Sequence, residues 1–186
     1  MADTRERILD TAQQLLQTSS YRGVSFQEIA DRVGIRKASL YHHFRSKDEL
    51  ITEVLKRACT HVEQWHESLS LASPVESLRQ FLQQLGNILG AGTMICTSGA
   101  CVSAWDEISS EARKQALALW EMQESWLREV IEHGRAQGVF RTDAPINVQL
   151  ELILSTVQGA LLVARAREDS QLFTRTTEAL IKQLQR

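Results

Sequence analysis

The stretch "VGIRKASLYHHF", from Val33 to Phe44, concentrates cationic and aromatic side chains in a segment short enough to be two turns of helix. Only Leu40 and Phe44 are strongly apolar within its helical part. At about 100° per residue these two centre one buried face, so most of the other side chains point away from it or lie on its flanks. Gly34 suits the left-handed residue at which a preceding helix ends. The pattern predicts a helix that turns a polar, cationic and aromatic surface outward.

Capping boxes mark helix starts on both sides of this stretch. "SFQE" begins at Ser25 and "SKDE" begins at Ser46, and Asp3 with Glu6 marks a third start. Apolar residues recur with the helical period along the rest of the chain, and no alternating strand pattern appears. We therefore expect an all-α protein of about nine helices. Besides the helix between Ser25 and Gly34, they cover about residues 4–18, 36–43, 47–69, 74–89, 101–107, 110–137 and 170–185. The eighth is capped by Asp143 and has Pro145 in its first turn.

Composition excludes several classes of protein. The 186 residues are 43% hydrophobic and 24% charged, as in an ordinary globular protein. We identify no apolar run near the ~20 residues that span a bilayer and no signal-peptide core, so we expect a cytoplasmic protein without membrane contact. Three cysteines without ligand spacing argue against a disulfide framework or a metal site. No nucleophile elbow, phosphate loop or H-E-x-x-H motif indicates catalysis or a cofactor.

Charge and periodicity together favour a nucleic-acid partner. Residues 1–57 hold ten Lys or Arg against eight Asp or Glu, whereas residues 58–186 hold eleven against fifteen. A helix, a tight turn and a short outward-facing helix form a helix-turn-helix, which lays its second helix in the major groove of DNA. We name as DNA-binding candidates Ser25, Gln27, Arg36, Lys37, Ala38, Ser39, Tyr41, His42 and Lys47. His43 is expected to be a packing or capping residue. An all-α protein-interaction module with a solvated three-helix head remains the alternative at this point.

The stretch "FQEIADRVGIRKASLYHHFRSKDELI" resembles the DNA-binding signature of the TetR family of transcriptional repressors. The resemblance covers about Arg5–Glu53. It implies a homodimer on a pseudopalindromic operator in double-stranded DNA, and a small, partly apolar inducer bound in the carboxyl-terminal domain. By position it implies that Gln27, Lys37, Ala38 and Tyr41 lie nearest the bases, with Ser25, Ser39, His42 and Lys47 on phosphates. We expect residues 1–46 to form the DNA-binding domain and residues 47–186 the effector-binding and dimerisation domain.

The larger domain offers two further sets of candidates. The last two helices, which dimerise in this family, carry apolar stripes that we assign to a dimer interface: Leu150, Leu154, Val157, Leu161, Phe173, Leu180 and Leu184. The same stripes would equally suit the protomer's own core. Aromatic and sulfur-containing residues suit an apolar pocket, and the candidates are Trp65, Met94, Cys101, Trp105, Trp120 and Met122.

Two cysteines leave a further alternative open. Cys96 and Cys101 flank part of the Gly-rich interruption "GAGTMICTSGA" at residues 90–100. A redox-responsive repressor would need at least one of these thiols to be exposed and to have thiolate character.

Overall fold

The computed structural model describes residues 3–89 and 94–186. The predicted Gly-rich interruption lies partly outside the described residues, since Gly90 to Thr93 are not among them. Within the described ranges the chain forms nine helices and no β-strand, apart from an isolated bridge between Phe140 and Gln185. The helices are α1 (Thr4–Gly23), α2 (Phe26–Val33), α3 (Lys37–His43), α4 (Lys47–Ser68), α5 (Pro74–Leu89), α6 (Thr97–Val102), α7 (Ser110–Ala136), α8 (Ile146–Ala166) and α9 (Ser170–Leu184). The all-α prediction is confirmed.

The predicted capping residues define three helix starts. The Ser25 hydroxyl accepts a hydrogen bond from the Glu28 amide at 3.1 Å, and α2 begins at the next residue. Ser46 does the same for the Glu49 amide at 3.1 Å, just before α4. The Asp3 carboxylate accepts a hydrogen bond from the Arg5 amide at 3.4 Å, and α1 begins at Thr4. Local capping chemistry therefore fixed these boundaries, as expected for orphan amides at a helix start.

Two other helix starts differ from the prediction. Helix α6 spans Thr97–Val102 instead of residues 101–107, because small buried residues such as Ser98 and Ala100 let it pack closely against α1. Helix α8 begins at Ile146, so Pro145 occupies the N-cap position and not the first turn, and no side chain caps the helix. The Asp143 carboxylate instead accepts from the Arg141 side chain, with Nε to Oδ1 at 3.1 Å.

Helix α1 is longer than predicted and is kinked at Ser20. Ser20 has φ 60° and ψ −178°, which interrupts the helical backbone before α1 ends at Gly23. A positive φ is uncommon for a residue with a Cβ. The kink lies two residues beyond the predicted end of the helix at residue 18.

The chain forms two compact units. Unit 1 comprises Met1–Val62 and Thr97–Trp120, and unit 2 comprises Glu63–Cys96 and Glu121–Arg186. The predicted boundary after residue 46 is not where these units divide. The first turns of α4 belong to unit 1, where Leu50 and Ile51 are fully buried and the Arg57 guanidinium lies 2.8 Å from the Asp10 carboxylate.

Unit 2 has a core built from α5, the second half of α7, α8 and α9. Its largest fully buried side chains include Phe81, Phe140 and Phe173. Gly134 on α7 makes room for Phe140, because a Cβ at that position would lie 2.0 Å from the Phe140 ring. Burial of large aromatic rings supplies much of the driving force for such a core.

Helix α8 is unusually apolar. By length and composition alone it is long and apolar enough to cross a membrane. The prediction of no apolar run near that length is therefore wrong. Core helices of proteins that do not span membranes pass the same test, and one face of α8, including Ile153 and Val157, lies in the core of unit 2.

Candidate nucleic-acid interface

Helices α2 and α3 form a helix-turn-helix in unit 1. Helix α2 ends at Gly34, which has φ 76° and ψ 37°, and the amides of Gly34 and Ile35 both donate to the Ala30 carbonyl, at 2.9 and 3.0 Å. This left-handed ending reverses the chain and satisfies the last carbonyls of α2. Leu40 and Phe44 are 0% and 1% exposed, and they anchor α3 and the residue after it to the core of unit 1. The predicted turn and anchors are thus where the sequence placed them.

The outer face of α3 is exposed. Arg36, Lys37, Ala38 and His42 lie in solvent, while Ser39 is half-buried. Tyr41 is 51% exposed, and its ring packs against that of Phe26 with centroids 4.9 Å apart. That contact holds an aromatic ring and its hydroxyl in one orientation at the surface.

His43 is also exposed, contrary to its assignment as a packing residue. Helix α3 ends at His43 and the chain turns at Phe44. The Phe44 ring is therefore buried, and the His43 ring stays in solvent. His43 therefore shares the solvent-facing surface with His42.

The amino terminus of α2 carries two further candidates. Ser25 uses its oxygen to cap the helix, which leaves its hydroxyl proton available for a phosphate oxygen. Gln27 is exposed, and its Nε2 donates to the Asp31 carboxylate at 2.9 Å. A base contact by Gln27 would have to replace or share this hydrogen bond.

Lys47 begins α4 and is half-buried. Its Nζ lies 4.0 Å from the centroid of the Tyr21 ring, a cation–π contact. Burial lowers the pKa of Lys47, although the carboxylates of Glu107 and Asp48 act in the opposite direction. The structure therefore places Lys47 against Tyr21, not fully in solvent as its assignment to a phosphate implied.

The same region ties α1 to α4 within unit 1. The Tyr21 hydroxyl donates to the Asp48 carboxylate at 3.0 Å, and the Ser109 amide donates to the same oxygen at 3.4 Å. Burial, followed by the hydrogen bond to Asp48 and then by the negative charge of that carboxylate, raises the pKa of Tyr21 to about 12. A guanidinium–carboxylate pair joins Arg22 to Glu107 nearby.

Sequence reasoning missed Arg45. This residue is exposed two positions before α4 begins, and its amide donates to the Glu49 carboxylate at 2.8 Å. A cation beside a helix amino terminus is well placed for a phosphate. The signal that would have identified it is its position one residue before the "SKDE" capping box.

The predicted effector residues are divided between the two units. Cys101, Trp105 and Trp120 belong to unit 1, and Trp65, Met94 and Met122 belong to unit 2. In unit 1, the Arg113 guanidinium carbon lies 5.9 Å from the Trp105 ring centroid. In unit 2, Trp65 stands in a cluster of rings with His66, Phe81 and Trp126. His66 and Phe81 were not among the predicted pocket residues.

The two candidate redox cysteines are buried. Cys96 is 4% exposed and its thiol lies 3.2 Å from the Gln158 side-chain oxygen. Cys101 is 0% exposed and belongs to the other unit, and neither forms a disulfide. Because oxidation favours accessible thiolates, these positions do not favour redox sensing.

The predicted dimer stripe faces inward. Leu150, Val157, Leu161, Phe173, Leu180 and Leu184 are all buried in the core of unit 2, and Leu154 is half-buried. The periodicity thus identified a core face, and its assignment to an interface is corrected. The large apolar side chains that α8 exposes are different ones, Val148, Leu152, Leu162 and Val163.

A helix-turn-helix whose second helix exposes cationic and aromatic side chains defines a class of DNA-binding regulators. A family model described as "Bacterial regulatory proteins, tetR family" matches residues 8–54. The transcriptional repressor KstR2 of Rhodococcus jostii is 27% identical over 163 residues, which cover 84% of this chain and 78% of that protein. The repressor DhaR of a Mycobacterium species is 26% identical over 185 residues, covering 95% and 92%.

Among solved structures, a TetR-family transcriptional regulator from Agrobacterium tumefaciens superposes with a TM-score of 0.92 at 26% identity, over 98% of each chain. Residues 8–54 thus match the DNA-binding region of the TetR family of bacterial regulatory proteins, and the chain over nearly its whole length is similar to TetR-family transcriptional regulators. The predicted family, fold and DNA-binding class are confirmed. These relatives are described as regulators and not as enzymes.

Proposed function

We propose that this regulator is a cytoplasmic repressor that binds a pseudopalindromic operator as a homodimer and leaves it when a small effector binds. The observation that supports this most directly is the outer face of α3. Its side chains are exposed, while Leu40 and Phe44 fix the helix beneath them. A helix presented in this way can enter the major groove without rearranging its core.

Individual side chains receive distinct roles in this proposal. Lys37 donates to guanine O6 or N7, and Ala38 allows close approach and meets a thymine methyl. Tyr41, held by Phe26, donates its hydroxyl to a base or a phosphate. Gln27 reads a base edge after giving up its bond to Asp31. Phosphates are bound by Ser25, Arg36, Ser39, His42 and Lys47, to which we add Arg45.

A second copy of the chain is the proposed partner of α8. Large apolar side chains exposed together on a protomer often mark a surface of protein–protein contact. The outward leucines of α8, Leu152 and Leu162, are 49% and 57% exposed in the single protomer. An isologous contact would cover them in both copies. Two-fold symmetry would then present two copies of α3 to the major groove about one turn of DNA apart, roughly 34 Å, or a multiple of it.

Release from the operator follows from differential affinity. An effector can shift the protein away from DNA only if it binds the DNA-incompetent conformation more tightly than the DNA-competent one. We place the effector in unit 2, the part of the chain that carries the ring cluster of Trp65, His66, Phe81 and Trp126.

A gel-shift titration on the DNA upstream of the protein's own gene tests the proposal. Lys37→Ala and Tyr41→Ala should each weaken binding by about 5- to 150-fold if the residue reads a base, which corresponds to about 1–3 kcal/mol. Lys182→Ala is the matched control, since Lys182 is an exposed lysine on α9. It should leave the affinity unchanged.

Two results would contradict the proposal. One is full operator affinity in the Lys37→Ala/Tyr41→Ala double variant. The other is the absence of any shift at moderate salt together with a monomeric species on a sizing column, which would favour a protein-interaction module. In the expected case log K falls linearly with log salt, because each phosphate contact releases counterions.

A further inference from the structure

A groove in unit 2 combines an apolar floor with a negatively charged rim. It offers about 470 Å³ of space, within the range of small-molecule sites. The floor includes Leu69, Met122 and Trp126. Behind Trp126 the rings continue inward, with Phe81 stacked on it at a centroid distance of 5.4 Å and an interplanar angle of 24°. A floor of this kind suits a flat, apolar ligand.

The rim carries three glutamates, Glu63, Glu67 and Glu129, all exposed. None of the three forms an ion pair with another described residue, and no Lys or Arg is among the described residues that line the groove. Glu63 and Glu67 stand four residues apart on α4, a spacing at which like charges repel. A bound cation would relieve that repulsion.

His66 supplies a second and independent feature of the groove. It lines the groove, is only 8% exposed, and stacks on Trp126 with centroids 4.9 Å apart and planes 17° apart. Its Nε2 is buried without a hydrogen-bond partner among the described residues. Such a nitrogen costs free energy unless a ligand satisfies it. Burial lowers the pKa of His66 to about 4, so at neutral pH the ring is uncharged and does not repel a cation.

We propose that this groove is the effector site and that it takes an aromatic ammonium, a flat ring system of about two fused rings bearing one protonated amine. The ring lies on the Trp126 side of the floor. The ammonium stands among the three rim carboxylates. A shift of the His66 ring on binding exposes Nε2, which is buried in the ligand-free protein, and lets it accept from one of the ammonium N–H groups. The inference rests on the proposed function, because it assigns the effector of the regulator.

Three probes of the same size and different charge test the ligand class. They are 1-naphthylmethylammonium, the neutral alcohol 1-naphthalenemethanol and the anion 1-naphthoate. Binding to the whole protein is measured by calorimetry at pH 7 in about 0.1 M salt, where surface charges act over roughly 10 Å. We expect the ammonium to bind about tenfold more tightly than the alcohol, and the anion to bind most weakly.

Two variants separate the contributions. Glu63→Gln with Glu67→Gln should weaken the ammonium by about three- to tenfold and leave the alcohol unchanged, since two exposed ion pairs are lost. The control is Glu132→Gln with Glu151→Gln, the same change of charge at exposed positions elsewhere in unit 2. His66→Phe keeps a stacked ring but removes the ring nitrogens, so it should weaken both the ammonium and the alcohol.

The effector role is read in the gel shift. Saturating 1-naphthylmethylammonium should release the operator from the wild-type protein, and at the same concentration it should release less from the Glu63→Gln/Glu67→Gln variant. Equal affinity for the three probes, or an ammonium affinity that the double variant does not change, would overturn the proposal. Binding without release would overturn the effector role. Failure of the ligand-free protein to bind DNA at all would instead count against the proposed function.

Discussion

Replacing His66 by Phe should remove a specific dependence of stability on pH. His66 is buried among rings, and burial lowers its pKa from 6.5 to about 4. Between these two values the unfolded chain binds a proton that the folded protein does not. Stability from this group is therefore fully present above pH 6.5 and is lost as the pH falls towards 4. Phe has no proton to bind, and its ring can keep the stack on Trp126.

The magnitude follows from the two pKa values. Between pH 7 and pH 5, linkage predicts that His66 removes about 2 kcal/mol from the free energy of unfolding of the wild-type protein, and about 3 kcal/mol by pH 4. The gap between the variant and the wild type should widen by that amount. For a protein of this size, about 2 kcal/mol corresponds to a shift of roughly 4–8 °C in Tm.

Thermal or urea unfolding of both proteins at pH 7, 6 and 5 measures the effect. Both are held at one protein concentration, because association contributes to apparent stability. Subtracting one curve from the other cancels the groups that titrate alike in both. His61→Phe serves as the control, since His61 lies on the same helix but is exposed. It should follow the wild-type pH dependence.

A constant difference between wild type and His66→Phe from pH 7 to pH 5 would refute the reasoning. It would mean that the His66 ring accepts a proton in the folded protein as easily as in the unfolded chain. The neutral acceptor required in the groove would then be absent as well.

Three further changes have defined outcomes. Leu152→Glu with Leu162→Glu should convert the dimer to a monomer in sedimentation, because it places carboxylates on the exposed apolar face of α8. Gly134→Ala should lower the free energy of unfolding by about 1–3 kcal/mol in urea, since its Cβ would lie 2.0 Å from the Phe140 ring. Tyr21→Phe should cost about 1–2 kcal/mol at pH 7 through the lost hydrogen bond. Because the Tyr21 pKa is raised to about 12, that cost should be constant below pH 10 and shrink as the pH rises towards 12.

Matched variants sharpen each of these measurements. Leu117→Glu introduces the same charge at an exposed leucine on α7 and should leave the dimer intact. Gly86→Ala should lower the free energy of unfolding by less than Gly134→Ala does, because the new Cβ would lie 3.1 Å from the Phe173 ring. Tyr41→Phe alters an exposed tyrosine and should not change stability. A dimer that persists in the Leu152→Glu/Leu162→Glu variant would contradict the first prediction. An unchanged urea midpoint in Gly134→Ala would contradict the second, and an unchanged midpoint in Tyr21→Phe would contradict the third.

The helix-turn-helix was predictable because its determinants are local. The caps at Ser25 and Ser46 act on amides three residues away, and Gly34 acts on the turn that contains it. Leu40 and Phe44 needed only the helical period to be assigned to the buried side. Arg45 was overlooked although the capping box that marks the start of α4 had been identified.

The errors concern information that the sequence does not hold locally. A 3.6-residue stripe says that a face is covered but not by what, so the core residues of α8, such as Val157, were assigned to a dimer interface. Helix α6 was placed four residues late because its packing on α1 depends on small side chains such as Ser98 and not on an apolar stripe. The aromatic candidates Trp105 and Trp65 were grouped by residue type, although the fold assigns them to different units.

The two apolar faces of α8 have a consequence for how the regulator responds to its own abundance. One face is buried in the core of the protomer, and the other face, with Leu152 and Leu162, is exposed. If a second copy covers it, the active species forms in proportion to the square of the protomer concentration wherever dimers are scarce. Operator occupancy would then rise more steeply than protein level. Modest changes in synthesis, or dilution by cell growth, would then switch the regulated genes without any effector.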